Sequence, residues 1–448
     1  MEITVQRLRS VLEILAPAVP KRTSLPVTLN VRLGEGIAVA TNLETSITVR
    51  LPETEGEAPL LLPHRKALEY LKNVPGATRL TLSKEGTKVL LQAGLTRLSL
   101  DSGPLEEFPP LPEKNLEGKA EVDGDALVGA LEEMAPYTAS EQSRPVLTGV
   151  CLTLGEQAEV CASDGFRLAY RQLPFPIPEL DSSAGKNQTL IVPRETVKAL
   201  GYLWRKAGKK PATPPDGLLV QMVLARRPIR MQYSRTFMEL AFGDVSLVTR
   251  LVEGSFPNYH QLIPTEYSSQ VTVMAEAMAQ ALRQVGQVAG SDIIRLKWED
   301  GKLILSAREE EVGEAEVMVW AETSGEPGHI AFKREYLAEY LRGKYQTVTI
   351  QTNGGSAPGL FTAPGAPQVV VMPMFVQWDG GPAPEGATPG EEEVGAVDAE
   401  EGDREEPEVE KDMEAVAVAP EPKPEDGPEV EQPQEEKPKS RRGRKCSG

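Results

Sequence analysis

The chain has 448 residues, room for about three domains of ~150 residues each, and its 40% apolar content is enough to build sizeable cores. It contains no run of 18 apolar residues, which excludes a helical membrane span, and three cysteines (Cys151, Cys161, Cys446) without a Cys-x-x-Cys pair, which fit buried or incidental thiols in a reducing cytoplasm. Net charge is −18, but 22 of the 66 acidic and 9 of the 48 basic residues lie in 377–448, so residues 1–376 hold 44 acidic and 39 basic groups, net −5, and a near-neutral total still leaves room for a basic surface.

Taken in chain order, the opening Met1-Glu2-Ile3-Thr4-Val5-Gln6-Arg7 has neither the basic head nor the apolar stretch of a secretory signal, so a cytoplasmic protein is expected. An amphipathic helix follows over 5–16, with Leu8, Val11, Leu12 and Leu15 at helical spacing. Leu62-Pro63-His64-Arg65-Lys66-Ala67-Leu68 opens a second helix, with proline at the start where its missing N–H does no harm. Alternating residues predict strands over 79–82, 88–92 and 96–101, the first two joined by a Lys84-Glu85-Gly86 turn. The same order returns twice. Helices are predicted at 124–134 (Leu127, Leu131, Met134) and 277–288 (Met278, Ala281, Leu282, Val285), and Val192-Pro193-Arg194 and Ala331-Phe332-Lys333 open two more, 130 and 139 residues after Leu62 and Val192 respectively. Strands are expected at 221–224, 270–273, 302–306 and 347–351, with a turn at Glu299-Asp300-Gly301. The reading is an α+β chain of three repeated units, 1–117, 118–264 and 265–376, each with two helices packed on antiparallel sheets. Residues 377–448 turn to Pro, Glu, Gly and Ala with Trp378 as the one aromatic and a basic end, too little apolar surface to offset ordering entropy, and are expected to be disordered.

The second helix of each unit is basic. Arg194, Lys198, Arg205, Lys206, Lys209 and Lys210 stand against Glu195 alone, and Lys333, Arg334, Arg342 and Lys344 against Glu335 and Glu339. Ordinary solvation explains one such face; three in a net acidic chain suit diffuse attraction to phosphates, which is independent of sequence. Enzyme motifs are missing: there is no Gly-x-x-x-x-Gly-Lys-Ser/Thr, no Gly-x-Ser-x-Gly, and no metal spacing around His64, His260 or His329. Ser163-Asp164 is the best catalytic fragment, and a hydrolase built on Asp164 is the enzyme alternative. No metal and no cofactor is expected.

Four separated segments carry more information: Arg144-Pro145-Val146-Leu147-Thr148-Gly149-Val150, Ala162-Ser163-Asp164-Gly165-Phe166-Arg167-Leu168-Ala169, Phe256-Pro257-Asn258-Tyr259-His260-Gln261-Leu262-Ile263-Pro264 and Val370-Val371-Met372-Pro373-Met374. In this order and spacing the chain resembles the bacterial DNA polymerase III β subunit, the sliding clamp family, over residues 1–376. The resemblance implies a noncatalytic processivity factor whose two chains close head to tail into a ring, helices inside and sheets outside. It implies three clamp domains, duplex DNA as a sequence-independent partner, and the DNA polymerase III catalytic subunit, the clamp loader and other repair or replication proteins as clients. It also implies a peptide-binding groove walled by Leu147, Ser163, Gly165, Phe166, Arg167, Leu168, Pro257, Gln261, Leu262, Pro358, Val370, Val371, Met372, Pro373 and Met374. Read without the family, Met372-Pro373-Met374 would be core packing. DNA contacts are expected from Arg22, Arg144, Arg194, Lys198, Arg205, Lys206, Lys333 and Arg334, and the dimer interface from Arg97, Leu98 and Leu100 on one side and Gln287 and Val288 on the other.

The sequence departs from the family in several places. Ser163 stands for a usual Thr, Phe166 for a common His, Gln261 for a common Arg and Phe375 for an Arg, and Pro145-Val146 follow Arg144 where aromatics are frequent. The chain also runs 72 residues past Val376, so an acidic tail is expected to leave from the lip of the groove, either screening it or passive. The alternative to an encircling clamp is a diverged paralogue that keeps the groove as a scaffold.

Overall fold

The computed structural model describes residues 1–111, 116–141, 143–180, 188–207, 228–288, 292–309, 313–343 and 345–378, with Val288 described by its backbone alone. Two compact units divide the chain, Met1–Pro382 and Ala383–Gly448; the second, and so nearly all of the acidic tail, lies outside the described residues. Lys209, Lys210, Lys344 and the strand expected at 221–224 also fall outside them.

The first unit is α+β, with six helices on antiparallel strands among the described residues. Helix α1 (Val5–Leu15) begins where Thr4, in extended conformation, accepts at Oγ1 from Arg7 N, and it buries Val5, Leu8, Val11, Leu12, Ile14 and Leu15. Helix α2 (His64–Lys72) follows strand Leu60–Pro63 directly; Pro63 both ends the strand and caps the helix, so the chain turns without a loop. Helix α3 (Gly124–Met134) is capped by Asp123, whose Oδ1 accepts from Asp125 N at 3.0 Å and Ala126 N at 3.1 Å. Helices α4 (Arg194–Ala207), α5 (Ala275–Val288) and α6 (Arg334–Tyr340) complete the set, and α1 packs on α2, α3 on α4 and α5 on α6.

Strand connectivity shows a finer repeat than the threefold one read from the sequence. Each helix is preceded by one strand and followed by three, giving six strand–helix–three-strand repeats: 2–50, 60–101, 118–172, 189–250, 269–325 and 328–371. Within each pair of repeats the first strands are exchanged. Glu2–Thr4 pairs with Arg79–Glu85, Gly118–Asp123 with Pro228–Tyr233, and Ser269–Met274 with Thr347–Thr352. The exchange knits the two halves of each third into one body.

Sheets then run through from one third to the next. The last strand of the first repeat, Thr45–Arg50, pairs antiparallel with the last strand of the fourth, Val245–Arg250 (Ile47 opposite Leu247). The last strand of the third, Arg167–Gln172, pairs with the last strand of the sixth, Gln368–Val371 (Leu168 opposite Val370). Two last strands remain. Thr96–Asp101 pairs on one side with Lys88–Ala93 and terminates its four-stranded sheet. Gly313–Gly325 pairs over 313–320 with Lys302–Glu309 and over 321–325 with Ser269–Val273, so the second edge of 313–320 has no partner among the described residues.

His64 sits between α1 and α2, 7% exposed, with Nε2–H donating to Leu12 O at 2.8 Å. Burial pushes its pKa below the ordinary 6.5, more than the backbone hydrogen bond raises it. The fold therefore prefers the neutral ring. Its stabilising contribution is complete above the unfolded pKa and is lost as pH falls from 6.5 through the lowered folded value. We predict that the denaturant midpoint of the wild type drops more than that of His64→Gln between about pH 7.5 and about pH 5.5; an equal drop in both would contradict this assignment.

Candidate functional site: a groove at a sheet junction and a layer of charged helices

The junction of the third and sixth repeats gathers most of the expected groove residues. Ser163 to Arg167 form a tight turn. Asp164 N donates to Arg167 O at 3.2 Å, Ser163 Oγ donates to Arg167 O at 2.8 Å, and Gly165, at φ +91, supplies the left-handed residue. Strand pairing sets Arg167 opposite Val371 and Leu168 opposite Val370, while Gly359 and Leu360, just after Pro358, pair with Val371 and Val370 from the other side. Met372 N then donates to Phe166 O at 2.9 Å and Met374 N to Ala331 O at 2.7 Å, which holds Met372-Pro373-Met374 across the junction. Beneath it lies a small apolar cluster of Cys151, Cys161, Leu168, Tyr259, Leu360 and Val370.

Above this floor the rim is apolar and open. Phe166 is 60% exposed, Leu262 57% and Met372 47%. Pro257, Gln261 and Leu262 stand on the segment anchored by Tyr259, whose hydroxyl donates to Glu159 Oε2 at 2.8 Å; burial and that hydrogen bond raise the phenol pKa. Leu147 is buried in the turn Pro145–Leu147. That turn lies between the two walls: a Cβ placed on Gly254 would meet Val146 Cγ1 at 2.6 Å, and one on Gly165 would meet Arg144 Nη1 at 3.3 Å. Burial also raises the thiols of Cys151 (to about 12) and Cys161, so neither is an anion at neutral pH.

Arg167 is less a wall than a fastener. Its Nε donates to Asp164 Oδ2 at 2.9 Å, with the two side chains 11% and 16% exposed, and Nη2 donates to Pro136 O at 3.3 Å. Its guanidinium lies 4.3 Å from the Tyr336 ring centre and 5.1 Å from that of Tyr137, so it is stacked between residues of the second and third thirds of the chain. Burial raises the Tyr336 hydroxyl to about 12, so it stays protonated beside the cation. Asp164 is equally committed: Oδ1 accepts from Phe166 N and Arg167 N at 2.9 and 2.8 Å. A carboxylate with both oxygens engaged is a turn former and a poor nucleophile or base. Among the described residues no group of three or more His, Cys, Asp or Glu could hold a metal ion.

The cations expected to face DNA are distributed differently from the sequence reading. Lys198 pairs with Glu195 (2.6 Å), Arg205 with Glu132 (2.6 Å), Lys206 with Glu13 (3.2 Å) and Arg334 with Asp292 (3.5 Å). Arg194 is half-buried and lines a cleft of about 340 Å³ with Lys198 and Arg342 opposite Glu132 and Glu339. The helix layer is thus a lattice of alternating charges. Arg22 is exposed on the loop after α1. Arg144 and Lys333 are not on the helix faces but beside the groove turn, at Gly165 and Phe166 respectively.

Of the expected dimer residues, Arg97 and Leu98 lie on the open edge strand Thr96–Asp101 with Arg97 paired to Glu85 at 3.3 Å; the Leu100 side chain is buried in its own core and its backbone lies opposite Val89 within the sheet. Gln287 is exposed at the end of α5, and the Val288 side chain lies outside the described residues. The open edge at 313–320, with Met318 and Trp320 exposed, was missed by the sequence reading; the signal was there in the strict alternation Glu314, Glu316, Met318, Trp320, Glu322.

Comparison with known proteins agrees with this architecture. Sequence models of the DNA polymerase III beta subunit match its central domain to residues 121–258 and its C-terminal domain to residues 260–375. The chain is 25% identical over 390 residues to the beta sliding clamp of Caulobacter vibrioides (84% of this chain, 96% of that one), and 27% identical over 388 residues to that of Pseudomonas aeruginosa (84% and 100%). Among solved structures it is similar to a P. aeruginosa sliding clamp bound to griselimycin (TM-score 0.72, 23% identity, 84% of this chain and 99% of that one) and to the Thermotoga maritima DNA polymerase III beta subunit (0.72, 22%, 84% and 99%). The fold is that of a sliding clamp. The chain belongs to the bacterial DNA polymerase III β subunit family.

Removing Arg167 would leave Asp164 without its cation and empty the space between two tyrosine rings. We predict that Arg167→Met lowers unfolding free energy by about 2–4 kcal/mol, and that Arg167→Lys, a point charge that cannot stack in the same way, recovers less than half of it. Urea denaturation of the three proteins checks both; a loss under about 0.5 kcal/mol would reduce this contact to an incidental one.

Proposed function

We propose that the protein is the processivity clamp of a replicative DNA polymerase: two copies close head to tail around duplex DNA, and the groove docks the polymerase catalytic subunit, the clamp loader and other clients. The protein would itself catalyse nothing. The observation that carries the reading is the pairing rule of the last strands. First pairs with fourth, third pairs with sixth, and second and fifth are left over at Thr96–Asp101 and Gly313–Trp320. The same antiparallel joint between the fifth repeat of one copy and the second of another uses both of these edges, and doing so twice leaves no last strand without a partner. The half-buried Ala315, Val317 and Val319 and the exposed Met318 and Trp320 supply apolar contacts beside that edge. The three clamp domains of this reading are 1–117, 118–264 and 265–376.

In this reading the duplex passes the helix layer. Cations already paired to carboxylates bind phosphate weakly, because each must leave a partner to do so, and a ring needs no tight grip: enclosure keeps it on the template. The same charge lattice gives the second reading, a clamp-like scaffold that docks peptides without enclosing DNA, its physical basis. The groove suits client peptides on its own terms, with an apolar floor, an open rim of Phe166, Leu262 and Met372, and adaptable methionines. Griselimycin, bound in the P. aeruginosa relative, is a convenient probe of it.

Loading on nicked circular DNA by the cognate loader, followed by linearisation, separates the two readings. The clamp reading predicts that the protein stays on circles through a high-salt wash and is lost within the time needed to slide off linear ends. Met372→Glu should leave that topological behaviour intact while weakening griselimycin binding by more than about tenfold, since it places a charge on an apolar rim. Equal retention on circles and linear DNA would reject enclosure; unchanged griselimycin affinity would reject the groove.

A further inference from the structure

The chain does not stop at the groove lip. After Met372-Pro373-Met374 it continues as Phe375-Val376-Gln377-Trp378, and exposure alternates: Phe375 and Gln377 are exposed, while Met374, Val376 and Trp378 are half-buried. That period of two places the second set on one side of an extended segment. Its support is the strand Gly328–Lys333, which pairs with Ile293–Glu299 and ends its sheet. Met374 N donates to Ala331 O of that strand at 2.7 Å. Further on, the Trp378 indole meets the His329 ring edge to face, with ring centres 4.8 Å apart at 71°. His329 is itself backed by bare main chain, since a Cβ on Gly355 would meet its Cδ2 at 2.9 Å.

Strand pairing ends at Val371, and beyond it Met372 and Met374 are each held by one backbone hydrogen bond, to Phe166 O and Ala331 O. A chain end held so lightly opens locally at low cost. The Trp378–His329 contact pins the far side, so the lip is fastened at both ends, by sheet on one and by an aromatic pair on the other. Met372, exposed at the rim, takes its position from that backbone. A ligand that meets a lip already in place loses less affinity to ordering it. Resting on the groove reading above, we propose that Trp378 is a positioning residue for the groove: through His329 it holds Met372-Pro373-Met374 in the arrangement that accepts a ligand.

The test uses the full chain with Trp378→Ala, Trp378→Phe and His329→Ala, and reads two quantities. Griselimycin affinity should fall about three- to tenfold in Trp378→Ala, as expected when the competent lip drops to about a third to a tenth of the population. Trp378→Phe, which keeps an aromatic edge, should recover most of it. Without ligand, hydrogen exchange at the Met372 and Met374 amides should speed up by a similar factor in Trp378→Ala, while exchange in Arg167–Gln172 and the urea midpoint stay as in the wild type. His329→Ala should match Trp378→Ala, and the double variant should be no weaker than either single one, because all three remove one contact. Unchanged affinity or unchanged lip exchange in Trp378→Ala, or losses that add in the double variant, would overturn the proposal while leaving the groove intact. Failure of the groove reading looks different: griselimycin then fails to bind the wild type, or binds Met372→Glu equally well, and the proposal falls with that reading.

Discussion

Unpaired strand edges are the constraint on which this structure turns. A strand's outer edge presents a row of N–H and C=O groups that seek partners, and a protein built from six small sheet halves has many such edges to manage. Here the first strand of each repeat is handed to the neighbouring repeat, and the last strands of four repeats meet in two antiparallel joints. Those joints do three things at once: they satisfy backbone groups, hold the thirds of the chain together, and create the surface on which the groove forms. The groove is a by-product of the joint between the third and sixth repeats, with its floor made from residues of both.

Chemistry at that joint follows from what must be buried to make it. Leu168, Val370 and Leu360 meet without polar atoms, while the turn that precedes Leu168 brings a carboxylate and a guanidinium into the same small space. They neutralise each other, and the guanidinium is then stacked between Tyr137 and Tyr336. Asp164 and Arg167 are thereby committed to each other, and around them Phe166 and Met372 stay exposed.

Local order was legible in the sequence, and long-range pairing was not. Helical spacing of Leu8, Val11, Leu12 and Leu15 gave α1 to within a residue, and Leu127, Leu131 and Met134 gave α3 with both ends. The groove segments 162–169 and 370–374 are found together as expected, because each is a short motif whose neighbours in sequence also line the site. The sixfold repeat was hidden because its signature is the exchange of strands between repeats, a matter of backbone hydrogen bonds that leaves little trace in side-chain pattern. Charge was the least legible property. Lys198, Arg205 and Lys206 read as a basic helix face along the chain, yet Glu132 and Glu13, which answer two of them, come from other helices. Lys333 likewise reads as part of the basic α6 segment until Phe166, 167 residues earlier, is seen beside it.

In the proposed ring, Thr96–Asp101 and Gly313–Trp320 are two halves of one joint. Sedimentation velocity on the full chain, compared with a variant carrying Ser99→Pro and Met318→Pro to remove edge donors, tests it most directly. A dimer down to nanomolar concentration for the wild type, and a folded monomer for the variant, is the predicted result. A wild-type monomer at micromolar concentration, or a dimer unaffected by both prolines, would contradict it.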